Sequence, residues 1–332
     1  MRYLLIIWLS LYVQSCFAAG SGLVLQQSWQ ENIITECGND MPDMLLLSAD
    51  KQYLYQSCET KSSNMQNPSL ARIHITTGKR DILIRGLGRA DGMRFAPDGS
   101  IWLGEEQADG MVWHIQDPDN LKAEQRVDRV RLKSSRKHIK AILSAGIFSH
   151  EGITFSQDGK YLYLADEWKE GCLYRLTLKN DVLAVFHAQK GWLTIKNPKE
   201  ARLEAEKLHA TPYNRMEDME LMPDGTILIA ETGTGNILKL NDLDDKPNVS
   251  TYLHHKGIEH PDNLEWDEKR GWLWITDDSQ RSELWVYDGQ NFKRIAYHDM
   301  AEITGLESDN GTIYFNLQHR RFAPDLTLKI FQ

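Results

Sequence analysis

The feature that most constrains this chain is a repeat that runs through most of its length. Five segments align: ADGMRFAPDGSIWLGEE from Ala90, HEGITFSQDGKYLYLADE from His150, MEDMELMPDGTILIAET from Met216, PDNLEWDEKRGWLWITDD from Pro261 and ITGLESDNGTIYFNLQH from Ile303. A sixth, PDMLLLSADKQYLYQS from Pro42, is a looser copy. Each opens on a polar or acidic residue, alternates for a few positions, turns at Asp-Gly or an equivalent, and enters an apolar run. Asp-Gly between alternating apolar runs marks a hairpin, because both central residues tolerate positive φ. A third apolar strand follows, as in GMVWHI, GCLYRLTL, GNILKL, SELWVYD and LARIHI. The copies recur every roughly 45–65 residues, the spacing of four-stranded propeller blades. The repeat therefore predicts an all-β, six-bladed β-propeller forming a single domain over residues 19–332. One stretch breaks the pattern: Lys199 to Ala210 is helical in composition and is expected as a short insertion on one face of the disc.

In a propeller the first strand of each blade lines the central channel, so the residues at its end converge on the axis. Asp43, Asp91, Glu151, Glu217 and Asp262 occupy equivalent places there, and Glu302 lies two residues before the equivalent Thr304. A second set follows the second strand: Glu105 and Glu106, Asp166 and Glu167, Glu231, Asp277 and Asp278, with Gln318 and His319 in the last copy. Asp at a strand entry also caps turns, but Glu has little turn preference, and it recurs at Glu151, Glu217, Glu231 and Glu302. Several carboxylates aimed at one axis repel one another unless cations neutralise them. Carboxylates with amide oxygens from Asn263, Asn316 or Gln318 suit a hard cation, which favours several Ca²⁺ ions, with Mg²⁺, iron or manganese left open.

The formal net charge of −9 argues against a nucleic-acid partner, since phosphate backbones are bound through basic clusters. The opening MRYLLIIWLSLYVQSCFAAG reads as a signal peptide over residues 1–18, which places the mature protein in the periplasm or outside the cell. A lipoprotein box ending at Cys16 is the alternative. No later stretch is apolar for the roughly 20 residues a membrane helix needs, so no span is expected. Export favours a Cys37–Cys58 disulfide and leaves Cys172 as a buried strand thiol. Most of the ten Trp residues, such as Trp102, Trp272 and Trp274, sit at strand positions and read as core.

Taken in order, FSHEGITFSQDGKYLYLADEWKEGCLYRL, YNRMEDMELMPDGTILIAET, HPDNLEWDEKRGWLWITDD and EITGLESDNGTIYFNLQH resemble the PhoX-type alkaline phosphatase family of secreted bacterial propellers. The resemblance runs from about Ala90 to Arg320. It implies phosphomonoester hydrolysis at a calcium cluster at one end of the channel, with iron in some members. Glu106, Glu151, Glu217 and Glu302 would then be metal ligands, with Asp262 or Asn263 beside them, and Asp91 and Glu231 complete the acidic set. Arg215, in the Arg-Met-Glu that stands where the family has Arg-Pro-Glu, would bind the substrate phosphate through its planar fork. The expected catalytic group is Arg215, Glu151 and His150. His150 and His319 are the histidines that would reach the cluster, as orienters or as the acid for the leaving group. The substrate would be a small phosphoester and the protein a monomer.

The chain departs from that family in three ways. The neighbourhood GRADGMRFAPDGSIWLGEE lacks the cysteine that iron-bearing members use, the chain is compact with no twin-arginine leader, and Met216 replaces a proline. More distantly, the hairpins resemble gluconolactonase-like propellers, which need one calcium with about four ligands. A lactonase is thus a second expectation, and a non-catalytic propeller with structural calcium a third.

Overall fold

In the computed structural model, the described residues are 20–60, 66–121, 124–129, 131, 133–134 and 138–332. The expected signal peptide, residues 1–18, and the alternative lipidation site at Cys16 lie outside them. Six sheets, antiparallel apart from one outer strand, follow one another along the chain. Their inner hairpins are Pro42–Leu47 with Tyr53–Cys58, Ala90–Phe95 with Ile101–Glu105, and His150–Phe155 with Tyr161–Asp166 in blades one to three. Blades four to six continue with Met216–Leu221 and Ile227–Glu231, Pro261–Asp267 and Trp272–Asp277, and Glu302–Asp309 and Thr312–Gln318. These pairs coincide with the six sequence copies, so the repeat is the blade.

The ring closes through the N-terminal strand. Gln30–Gly38 pairs antiparallel with the final strand Asp325–Phe331, with Gln30 opposite Phe331, and becomes the outermost strand of blade six. Val24–Leu25 caps the edge of blade five in the same way. Blade one gains an outer strand, Gln125–Asp128, that runs parallel to Arg80–Arg85. The predicted helical insertion is present as a single turn at Pro198–Glu200 and the helix Ala201–Lys207.

Between blades the core is apolar and falls into clusters that join neighbouring blades. Met44, Tyr55, Met93, Trp113 and Ile115 pack blade one on blade two, while Trp29, Trp274, Leu284, Phe315 and Leu328 join blade five to blade six. In blades one to five each inner strand carries a bulge just past its first residue, for example between Ala90 and Met93 and between His150 and Ile153, whereas in blade six it falls between Thr304 and Glu307. A bulge kinks the strand and re-aims a side chain, and here it lets neighbouring inner strands approach very closely. A Cβ on Gly92 would stand 1.4 Å from the carbonyl oxygen of Glu151, so only glycine fits. In blade six, Gly305 approaches the carbonyl of Asp43 in the same way. Thr304 is therefore the counterpart of Asp91, and Glu302 reaches the channel from two residues earlier.

The expected disulfide is absent. Cys37, Cys58 and Cys172 are all free and buried. Cys37, on the closing strand, has its Sγ 3.3 Å from Thr327 Oγ1, whereas Cys58, at the end of a blade-one strand, accepts from Arg80 at 3.2 Å. Each thiol is thus satisfied by its own neighbours, and burial pushes that of Cys58 up to about 12.

A carboxylate-lined pocket at the hub

All six blades contribute to one pocket of about 240 Å³ on the axis. Its walls hold nine carboxylates, from Asp43, Glu59, Asp91, Glu106, Glu151, Glu217, Asp262, Asp278 and Glu302, together with Arg89, Arg215 and His319. Two positions in the blade repeat supply most of them. Asp43, Asp91, Glu151, Glu217 and Asp262 are the second residues of the inner strands, turned to the axis by the bulges. Glu59, Glu106, Asp278 and His319 each directly follow a second strand.

Within the pocket the ligand oxygens form three adjoining trios: Asp43, Glu59 and Asp91; Asp91, Glu106 and Glu151; and Glu151, Glu217 and Asp262. In each trio the oxygens lie within 4.8 Å of one another, and Asp91 and Glu151 each belong to two trios. Asp91 Oδ1 and Glu151 Oε2 are buried without a hydrogen-bond partner. Glu217 Oε1 lies 3.0 Å from Arg215 yet makes no hydrogen bond to it. Oxygens of this kind are costly to bury unless something positive meets them.

The electrostatics express the same cost. Burial, and then the charge of Asp91, hold Glu151 well above the usual carboxylate range, and burial followed by Asp43 does so for Asp91. Burial and the neighbouring Glu59 push Glu106 up to about 10. Glu217 rises to about 7, burial outweighing the pull of Arg215. A set of hard oxygen donors too crowded to ionise alone fits divalent cations, which would restore the charged form.

Two arginines offset part of this charge. Arg89 bridges Glu59 and Glu106, and Arg215 pairs with Glu167 at 2.6 Å as well as approaching Glu217. Both directly precede an inner strand and both adopt positive φ, 40° and 56°, as does His319 at 58°. Such backbone is unfavourable for side-chain-bearing residues and persists where the surrounding structure enforces it, often at functional sites. His319 lies 3.6 Å from Glu302 at the pocket edge.

Of the residues expected from sequence, Asp91, Glu106, Glu151, Arg215, Glu217, Asp262 and Glu302 meet in this pocket. Three do not. His150 turns away into the blade, stacks on Phe148 with centroids 3.9 Å apart, and contacts the carbonyl of Gly146 at 3.2 Å through Nε2. Burial lowers its pKa to about 3, so it is a neutral core residue. Asn263 accepts from the Gly305 N–H at 2.7 Å and ties blade five to blade six. Glu231 accepts from the Asn214 N–H at 3.0 Å and from Thr234, fastening a local loop. Sequence reading passed over Glu59 and Arg89 as site residues. A signal existed for each: Glu59 follows its strand as Glu106 does, and Arg89 precedes Ala90 as Arg215 precedes Met216.

The channel's other end is a different chemical environment. There Arg94 reaches the carbonyl of Met219 at 2.7 Å, Glu220 at 2.9 Å and Asp218 at 3.3 Å, with Glu265 and Glu307 nearby. Its carboxylates are also met by backbone donors, as when Ser308 N–H donates to Glu265 at 2.8 Å. That end has its own guanidinium among its carboxylates, yet burial still raises Glu220 to about 7 and Glu307 to about 8.

No family model matches the chain, and a search of curated proteins returns no match. The phosphatase-family resemblance therefore gains no support from either. Solved structures do match. The gluconolactonase of Xanthomonas campestris superposes with a TM-score of 0.61 at 11% identity, covering 92% of this chain and 90% of that one. A luciferin-regenerating enzyme gives 0.60 at 11% identity over 92% and 95% of the two chains. Virginiamycin B lyase from Staphylococcus aureus gives 0.53 at 13% identity over 92% and 99%. At such identities the likeness is one of fold, and the chain is a six-bladed β-propeller of the architecture seen in gluconolactonase-like proteins.

Proposed function

We propose that the protein is a hydrolase that uses divalent cations, calcium first among them, to open an ester-type bond of a small molecule in the hub pocket, with a lactone as the substrate class. The observation that carries this reading is the run of three adjoining carboxylate trios with unpartnered buried oxygens at Asp91 and Glu151. Asp43, Glu59, Asp91, Glu106, Glu151, Glu217 and Asp262 would hold the cations. Cations in such a site polarise an ester oxygen and acidify water. Arg215, at the pocket wall, would orient and stabilise an oxyanion through its fork. His319, the one histidine lining the pocket among the described residues and 3.6 Å from Glu302, would be the group to serve the leaving oxygen. The likeness to a gluconolactonase supports the lactone. The reading also takes the protein to be exported, as the leader sequence suggests.

A second reading, phosphomonoester hydrolysis, is favoured by one specific observation. The pocket has three carboxylate trios that could each hold a cation and two guanidiniums, Arg89 and Arg215, an arrangement that would suit a phosphoryl group better than a lactone. The test is metal content of the purified protein, with hydrolysis of a chromogenic lactone and of 4-nitrophenyl phosphate measured with and without chelator. Lactone turnover that is lost on chelation supports the first reading. Phosphatase activity with two or more bound cations, lost in Arg215→Ala, would replace it with the second. If the cation-loaded protein hydrolyses neither, the hydrolase reading falls.

A further inference from the structure

The strand end Asp166-Glu167-Trp168 faces two ways. Glu167 turns to the hub and pairs with Arg215, whose backbone N–H donates to the Trp168 carbonyl at 3.0 Å. Asp166 and Trp168 instead border a separate cavity of about 480 Å³ between the strand Gly171–Thr177 and the helix Ala201–Lys207. That volume falls within the range of about 300–1,000 Å³ typical of small-molecule sites.

Three features of this cavity bear on what it could hold. The indole of Trp168 is 55% exposed, while Arg202 lies 4.8 Å from its ring centroid and is itself anchored on buried Asp166 at 2.8 Å. The ring is thus backed by a fixed cation and left open. Tyr174, fully buried and stacked 4.4 Å from Phe148, lines the cavity, and its hydroxyl has no hydrogen-bond partner. Glu170 and Glu206 stand at the exposed rim as acceptors.

An open aromatic face, an unmet hydroxyl and rim carboxylates are together the complement of a sugar ring, which has an apolar C–H face and a hydroxylated edge. We propose that this cavity is a subsite for a neutral pyranose unit, a glycosyl substituent of the substrate lying outside the hub pocket. The proposal rests on the hydrolase reading only in assigning the sugar to the substrate; the binding of the sugar does not depend on it.

The experiment is saturation-transfer NMR on the purified, calcium-supplemented protein, with methyl glucoside, galactoside and mannoside as probes and benzyl alcohol as a ring without the hydroxylated edge. At least one glycoside should bind. Trp168→Ala should weaken it by about tenfold or more, equivalent to ~1.4 kcal/mol. Tyr174→Phe, which keeps the ring and removes only the hydroxyl, should weaken it several-fold. Arg215→Ala should leave it unchanged, so loss of hydrolysis and loss of sugar binding are read separately. Absence of binding by all three glycosides, binding indifferent to Trp168→Ala, or preference for benzyl alcohol would each overturn the assignment.

Discussion

Removing divalent cations should make this protein more stable at pH 5 than at pH 8, the reverse of what a fold rich in ordinary ion pairs would show. Glu217 is only 4% exposed, and burial raises its carboxyl from 4.5 to about 7. A group with its folded pKa above its unfolded one binds more protons in the native state, so stability falls as pH rises between the two values. At about 1.4 kcal/mol per unit, Glu217 alone costs on the order of 3 kcal/mol once the pH passes 7. Glu106, raised to about 10, extends the same penalty to higher pH. For a chain of this size about 2 °C accompanies each kcal/mol, so the melting temperature of chelated protein should drop by about 6 °C or more from pH 5 to pH 8. Calcium should reverse this at pH 8, because a cation bound only by the native state at a hundred times its Kd adds about 2.7 kcal/mol. The assay is differential scanning calorimetry at both pH values, after dialysis against chelator and again with calcium. A chelated protein whose melting temperature is flat or rises from pH 5 to pH 8 would refute the picture of a crowded, uncompensated pocket.

Three further outcomes follow from single residues. Glu151→Gln removes one of the two carboxylates shared between trios, and should weaken calcium binding on the order of 100-fold by titration calorimetry while raising the melting temperature of the chelated protein at pH 8. Gly92→Ala would set a Cβ 1.4 Å from the Glu151 carbonyl, forcing blades two and three apart at a cost of about 3 kcal/mol or more in urea unfolding. Arg94→Met strips the far end of its buried cation and should cost about 3–5 kcal/mol, a loss that added calcium does not repair because the hub pocket is elsewhere on the axis.

The sequence by itself determined the blade. Asp-Gly turns, or an equivalent such as Asp-Glu-Lys-Arg-Gly, between alternating runs fix hairpins locally, and their recurrence in the copies from Ala90, His150, Met216 and Pro261 could be stacked in few other ways, so six blades and a ring of inner-strand carboxylates were legible without coordinates. Direction was legible too for Asp91, Glu151, Glu217 and Asp262, because position in the repeat dictates which side chain meets the axis. Tertiary structure decided what repeat position does not. His150 stands next to Glu151 in sequence, yet a strand sends successive side chains to opposite faces, and it ends in the core against Phe148. Asn263 likewise faces its neighbour blade across Gly305. Cys37 is brought to Thr327 by the closing strand, a pairing between the two chain ends that no local pattern encodes, while Cys58 meets Arg80 within its own blade. The side cavity beside Trp168 arises only where an insertion helix happens to lie against blade three. Local chemistry sets turns and strands, whereas contacts between distant segments depend on how all six blades close, and that is settled only when the ring is complete.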